Sequence, residues 1–274
     1  MSSSMSWLER VYNMRRPIYF LLIILCVIPL VFPIKTPVGI SPETRAVYNV
    51  IEKLPADSVV ALDIGVDVAM WSDMEPAVVA ALEHIVVRKS IKLVAVSFYP
   101  DGPILIERAF AAVDMKNKKY GVDYVNLGYL VGGETAIAAF AKDIRAVLRS
   151  DFRGTSISDL PIMKAVNNAK DFSLYIYVIQ ADPATQIRQI SVPYGVRMIG
   201  LTTAFARPYC MPYLLAGQIS GIVTGLRGGA EYEYLVGLYR FGLQSTTTMS
   251  IVYIATVLMV ILGNVLYVWL RRKK

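Results

Sequence analysis

The sequence predicts an α/β protein: one three-layer, Rossmann-like domain on about five parallel strands, flanked by an N-terminal and a C-terminal transmembrane helix. Three observations predict it. Two uncharged apolar runs stand near the ends of the chain, and between them short β-branched segments alternate with helix-length ones. The strand segments are also apolar at nearly every position, as strands covered on both faces must be. The chain is 55% hydrophobic, more than an ordinary soluble protein, and the excess lies in the two terminal runs.

Residues 1–16 hold Met5, Trp7, Leu8, Val11 and Tyr12 at helical spacing, which suits an amphipathic segment on the cytoplasmic membrane surface. Residues 17–34, "PIYFLLIILCVIPLVFPI", form the first expected span, just long enough for a hydrocarbon layer of about 30 Å. A cleaved signal peptide is the alternative. No A-x-A-like site follows the run, and Cys26 lacks the small residues of a lipoprotein signal before it, so an uncleaved anchor is expected.

From Lys35 to Ile40 the chain reads as an extended linker. Ser41 then fits an N-cap, with Pro42 at the first helical position and Glu43 in the first turn. The helix "PETRAVYNVIEKL" follows. Strands are expected at "VVALDI", "IKLVAVSF", "YVNLGYL", "SLYIYVIQ" and "VRMIGLT", with helical crossovers between them. An extra helix is expected around "SDLPIMKAVNN", capped by Ser158 or Asp159. The glycine- and aromatic-rich stretch from Ala206 to Gly242 reads as helices packed on the domain or on the membrane, completing a domain over residues 35–248.

Residues 249–270, "MSIVYIATVLMVILGNVLYVWL", form the second span, and 271–274 a cytoplasmic basic tail. Arg10, Arg15 and Arg16 precede the first span and four basic residues follow the second. Both termini are therefore expected in the cytoplasm and the domain outside. Of the formal charge of +7, all but +1 is carried by these flanks, for they leave 21 of the 28 basic and 20 of the 21 acidic residues in the middle. A middle so close to neutral argues against nucleic acid as a partner and for the membrane surface. Cys26 and Cys210 are too differently placed to form a disulfide, so the domain relies on its core.

Ligands of an open parallel sheet bind beyond the carboxyl ends of the strands. Those ends carry Asp63 and Asp67; Ser97, Tyr99 and Asp101; Asn126 with a glycine loop; Gln180 and Asp182; and Thr202 with Thr203. The loop, "GYLVGGET" at 128–135, has the spacing of a phosphate loop with glutamate where the lysine belongs. An anion there repels phosphate and favours a helix N-terminus, so Gly132 and Gly133 are expected to turn the chain while Glu134 and Thr135 start a helix. A small polar ligand would meet Asn126, Gly128, Gly132, Gly133, Thr202 and Thr203. A hard cation would use Asp63, Asp67 and Asp101.

Catalytic signatures are incomplete. His84, the only histidine, has no partner among its helical neighbours, and one histidine with two distant cysteines makes no zinc site. Glu231 and Glu233 read as a helix start, and "GLRGG" offers amides and Arg227 to an anion. No cofactor is implied. The expected function is a membrane-anchored binding or assembly module without enzymatic activity, a subunit of a homo-oligomer or of a complex with other membrane proteins. Self-association would use Gly263 and Asn264 in the second span and Tyr232 and Tyr234 in the aromatic stretch. The rival is a sensor of a small polar molecule, and the third reading a hydrolase using Asp63 or Ser97.

Overall fold

The computed structural model describes residues 15–32 and 38–272. The amphipathic segment with Trp7, linker residues 35–37 and the last two lysines of the tail lie outside the described residues. The chain divides into two compact units, one holding the terminal apolar helices and the other running from Val38 to Gly242.

In the first unit, helix α1 (Arg15–Val31) is apolar from Ile18 to Pro29, fewer than the roughly 20 residues that a hydrocarbon core requires. The last helix of the chain runs from Phe241 to Arg272. Its stretch Phe241–Trp269 has a mean hydropathy of 2.4 and is long and apolar enough to cross a membrane. Among the described residues one helix is therefore a candidate span by length and composition. The expected N-terminal span is not clearly supported, because α1 carries Pro29 in its last turn and ends at Val31.

The second unit is an α/β domain on a six-stranded, wholly parallel sheet. After α2 (Pro42–Glu52) come β1 (Val59–Gly65), α3 (Trp71–Leu82), β2 (Lys92–Ser97), α4 (Gly102–Ala111), β3 (Tyr124–Tyr129) and α5 (Gly133–Lys142). A short α6 (Ile144–Val147) and three 3₁₀ turns lead to β4 (Leu174–Ile179). Beyond it, α7 (Ala184–Gln186) passes through a π turn into α8 (Val192–Tyr194), followed by β5 (Met198–Thr202), α9 (Arg207–Leu215), β6 (Ile222–Thr224) and α10 (Gly225–Val236). The strand order is β3-β2-β1-β4-β5-β6. The chain builds outward from β1 in one direction, crosses back, and builds outward in the other, so its crevice opens where β1 meets β4.

The five expected strands are all present, and each of the five is buried along almost its whole length. Alternate residues serve opposite faces. Val60, Leu62 and Ile64 join the core beneath α2, α3 and α10, whereas Val59 and Ala61 join the core beneath α5 and the 157–172 segment. Asp63 belongs to the second set by its place in the strand. Ser41 caps α2 as expected, accepting the Thr44 amide.

Three sequence readings are corrected. The region read as wholly helical contains β6, paired in parallel with β5. The segment around "SDLPIMKAVNN" is a set of 3₁₀ turns, and Ser156 and Leu160 occupy the cap positions of the first two rather than Ser158 or Asp159. Glu231 and Glu233 lie within α10, not at its start, and both are buried acceptors. Glu231 receives the Ser41 amide at 2.9 Å and its hydroxyl at 2.6 Å, and Glu233 receives the Gly242 amide at 3.1 Å. The N-terminus of α10 is closed by Asp73, which accepts the Leu226 amide at 2.8 Å, so "GLRGG" does not stand open to an external anion.

Candidate functional site

Between the carboxyl ends of β1 and β4 lies a cleft of about 210 Å³. Its floor is Asp63 and Gly65 of β1 with Tyr177 of β4, its walls are Phe98 and Tyr99 after β2 and Glu134 and Ile137 of α5, and Asp182 and Gln186 close it from beyond β4. Placement follows from register. Asp63 pairs with Tyr177 and Ala61 with Tyr175, so aspartate and both tyrosines share one face of the sheet. An added Cβ on Gly65 would stand 2.5 Å from the Tyr177 ring, which is why the residue beside that ring is glycine.

Asp63 is fully buried. Its Oδ2 accepts the Tyr175 hydroxyl at 2.8 Å and the Gln186 amide at 3.3 Å, while its buried Oδ1 has no hydrogen-bond partner. Burial drives its pKa up to about 7, against the pull of the Tyr175, Gln186 and Phe98 donors toward the charged form. The Phe98 backbone amide favours the anion without reaching hydrogen-bond geometry at Oδ1. A buried acceptor without a donor is costly, and most such groups in folded proteins are satisfied by something.

The rim is tied together. Gln180 accepts the Asp67 amide at 2.9 Å and donates to the Tyr99 hydroxyl at 2.9 Å, linking the loops after β1, β2 and β4. Asp67 caps the turn that follows β1 through the Met70 amide, and Asp101 accepts the Val68 amide. Among the described residues no group of three His, Cys, Asp or Glu is placed to hold a metal ion. The three aspartates do not form the hard-cation site expected of them. Asp63 is sunk in the cleft, and the other two are engaged with backbone.

Of the residues expected to meet a polar ligand, Gly133 lines the cleft. Gly132 caps α5 at φ 130° and Gly133 begins the helix at φ 56°, both turning the chain at positive φ, with Glu134 in the first turn. Glu134 is tied across to the π turn by Arg188 at 2.8 Å and Gln189 at 2.7 Å, and these donors hold its carboxyl below the ordinary range. Asn126 is buried and internally satisfied, donating to Pro103 and Glu107 and accepting the Gly128 amide. Gly128 takes φ 86°. Thr202 and Thr203 are buried at the end of β5 and are not part of the cleft wall. Ser97 is also closed, its hydroxyl donating to the Ile64 carbonyl at 2.6 Å and accepting the Tyr99 amide at 2.9 Å.

Sequence reasoning missed Tyr175, Tyr177 and Gln186. A faint signal existed in β4, "LYIYVI", where two tyrosines at alternate positions must place their hydroxyls somewhere on one buried face. It also missed the partners of His84, which lie on other helices: Nδ1 meets the Tyr232 hydroxyl at 2.8 Å, Nε2 meets Glu52 at 2.9 Å, and the ring stacks on Tyr48. Burial lowers the His84 pKa more than Glu52 restores it. Tyr232 is thus core, fully buried, and cannot form a subunit interface, whereas Tyr234 is exposed. In the last helix, Asn264 donates to the Val260 carbonyl of its own helix at 2.9 Å, and a Cβ on Gly263 would meet nothing.

Comparison with protein-family models, with curated proteins and with solved structures gives no match.

Proposed function

We propose that this chain is a membrane-anchored binding module whose extracytoplasmic α/β domain holds a small polar molecule at the carboxyl edge of its sheet. The observation that carries the reading is the cleft at the β1–β4 crevice with one buried Asp63 oxygen left without a donor. Open α/β sheets place ligands there, and a rim stapled by Gln180 is pre-formed rather than assembled on binding. The domain acts by binding rather than catalysis, which agrees with the internal engagement of Ser97. It sits outside the membrane on two spans, within 17–34 and 249–270 of the sequence, with both termini in the cytoplasm, a reading that rests on their basic flanks.

Assembly with further copies or with other membrane proteins is a second reading. The open face at Gly263 and the exposed ring of Tyr234 favour it, for small residues let helices approach and exposed aromatics suit interfaces. The binding reading is tested by melting the full-length protein in mild detergent against a panel of amines, sugars, nucleotides, carboxylates and divalent ions. At least one class is expected to raise the melting temperature, and Thr185→Trp, which fills the cleft, to abolish the rise. No stabilisation by any class, or stabilisation indifferent to Thr185→Trp, would refute it.

A further inference from the structure

We infer that the cleft takes a small primary ammonium ion, its N–H groups directed at the carboxylate of Asp63 and its charge flanked by Glu134 and Asp182; this rests on the binding reading above. Three carboxyl groups line the cleft, and no Lys, Arg or His does. The nearby guanidinium of Arg188 is spent on Glu134. That pair leaves Asp63 and Asp182 as the acids of the lining without a cation beside them, so the lining favours a cation over an anion. The aromatic surfaces of Phe98, Tyr99 and Tyr177 complete the wall, and aromatic faces attract cations.

Asp63 turns this general preference into a site. Both side-chain donors converge on Oδ2, which leaves Oδ1 of this cleft-lining residue a buried acceptor that a ligand donor or a proton would satisfy. An ammonium supplies donor and compensating charge together. A neutral hydroxyl supplies only the first, and a divalent ion would need several more oxygens than converge here. The cleft, at about 210 Å³, lies below the roughly 300–1,000 Å³ of drug-sized sites, which limits the ligand to a compact molecule. Asp182 would also repel a phosphate beside the amine, which favours a free amine over a lipid headgroup.

Binding is coupled to protons. The groups facing Asp63 are the Tyr175 and Tyr177 hydroxyls of β4, Gln186 of α7 and the Phe98 amide, with Glu134 and Asp182 across the opening. Because the free carboxyl titrates at about 7, the ammonium must displace a proton below that pH. A primary amine stays charged throughout, so its affinity is expected to fall about 30-fold from pH 8 to pH 5.5.

The test measures melting of full-length protein in mild detergent with ethanolamine, ethylene glycol, acetate, magnesium chloride and glycerophosphoethanolamine. Ethanolamine is expected to stabilise at millimolar concentration, with the stated pH dependence, and the other four are not. Asp63→Asn, which keeps the shape, and Thr185→Trp, which fills the space, should each reduce the ethanolamine effect at least tenfold while retaining a cooperative melt. Stabilisation by another class of the wider panel with ethanolamine inert overturns the ammonium assignment and leaves the binding reading standing. Silence from every class overturns both, and tighter binding of glycerophosphoethanolamine than of ethanolamine overturns the free-amine assignment.

Discussion

Asp63→Asn should reverse the usual sense in which removing a buried, hydrogen-bonded group harms a protein, and it should do so only above acid pH. In the folded domain the carboxyl titrates at about 7, against an ordinary value of 3.8. Between about pH 4 and pH 7 the folded state therefore keeps a proton that the unfolded chain has released. Stability falls as pH rises through that window, because the unfolded state binds fewer protons there. At about 1.36 kcal/mol per pKa unit the full swing is on the order of 4 kcal/mol. Asparagine retains an acceptor for Tyr175 and Gln186 and has nothing to titrate. The stability of Asp63→Asn relative to the native sequence should thus rise by that order from pH 4 to pH 8. Denaturant titrations of the full-length protein in mild detergent, followed by circular dichroism at half-unit steps of pH, measure the difference curve directly. A flat curve would show that the carboxyl is not desolvated as described, and a fall with pH would show that its anion is the favoured form.

Tyr232→Phe should cost about 1–3 kcal/mol, because it leaves the buried Nδ1 of His84 without its partner, and should leave the mass in detergent unchanged. A change of oligomeric state in that variant would contradict the core placement of Tyr232. Gly229→Ala should destabilise by about 1–3 kcal/mol, since its new methyl would stand 2.8 Å from Pro76 and 3.0 Å from the Ala77 backbone nitrogen where α10 crosses α3. Chemical denaturation decides this, and a neutral result would mean that the two helices separate easily. Protease added outside intact cells or spheroplasts should remove the domain and spare both chain ends, and protection of the domain would refute the proposed topology.

The strands were legible because burial on both faces leaves a local mark, an apolar residue at almost every position. Strand β6 was not, for it has three residues, is bounded by Gly221 and Gly225, and sits inside a stretch whose composition suits a helix. The cap of α2 and the turn into α5 could be read for the same reason as the strands, since Ser41 acts on an amide three residues away and Gly132 with Gly133 turns the chain where it stands. What failed was non-local. Glu231 looked like a helix-start acid until its partner proved to be Ser41, and His84 looked solitary until Glu52 and Tyr232 arrived from 32 and 148 residues away. Asp63 could be placed at the strand ends, but not the donors that make it unusual. Tyrosines 232 and 234 differ only in the side of α10 they occupy, and composition is blind to that.

The two glutamates of α10 carry a mechanical consequence. Glu231 grips Ser41, the cap of the domain's opening helix, and Glu233 grips Gly242 at the domain's far end. The entering and leaving ends of the domain are therefore held within one turn of a single helix. Both grips are made by α10, which packs on the face of the sheet opposite the one that carries Asp63, Tyr175 and Tyr177.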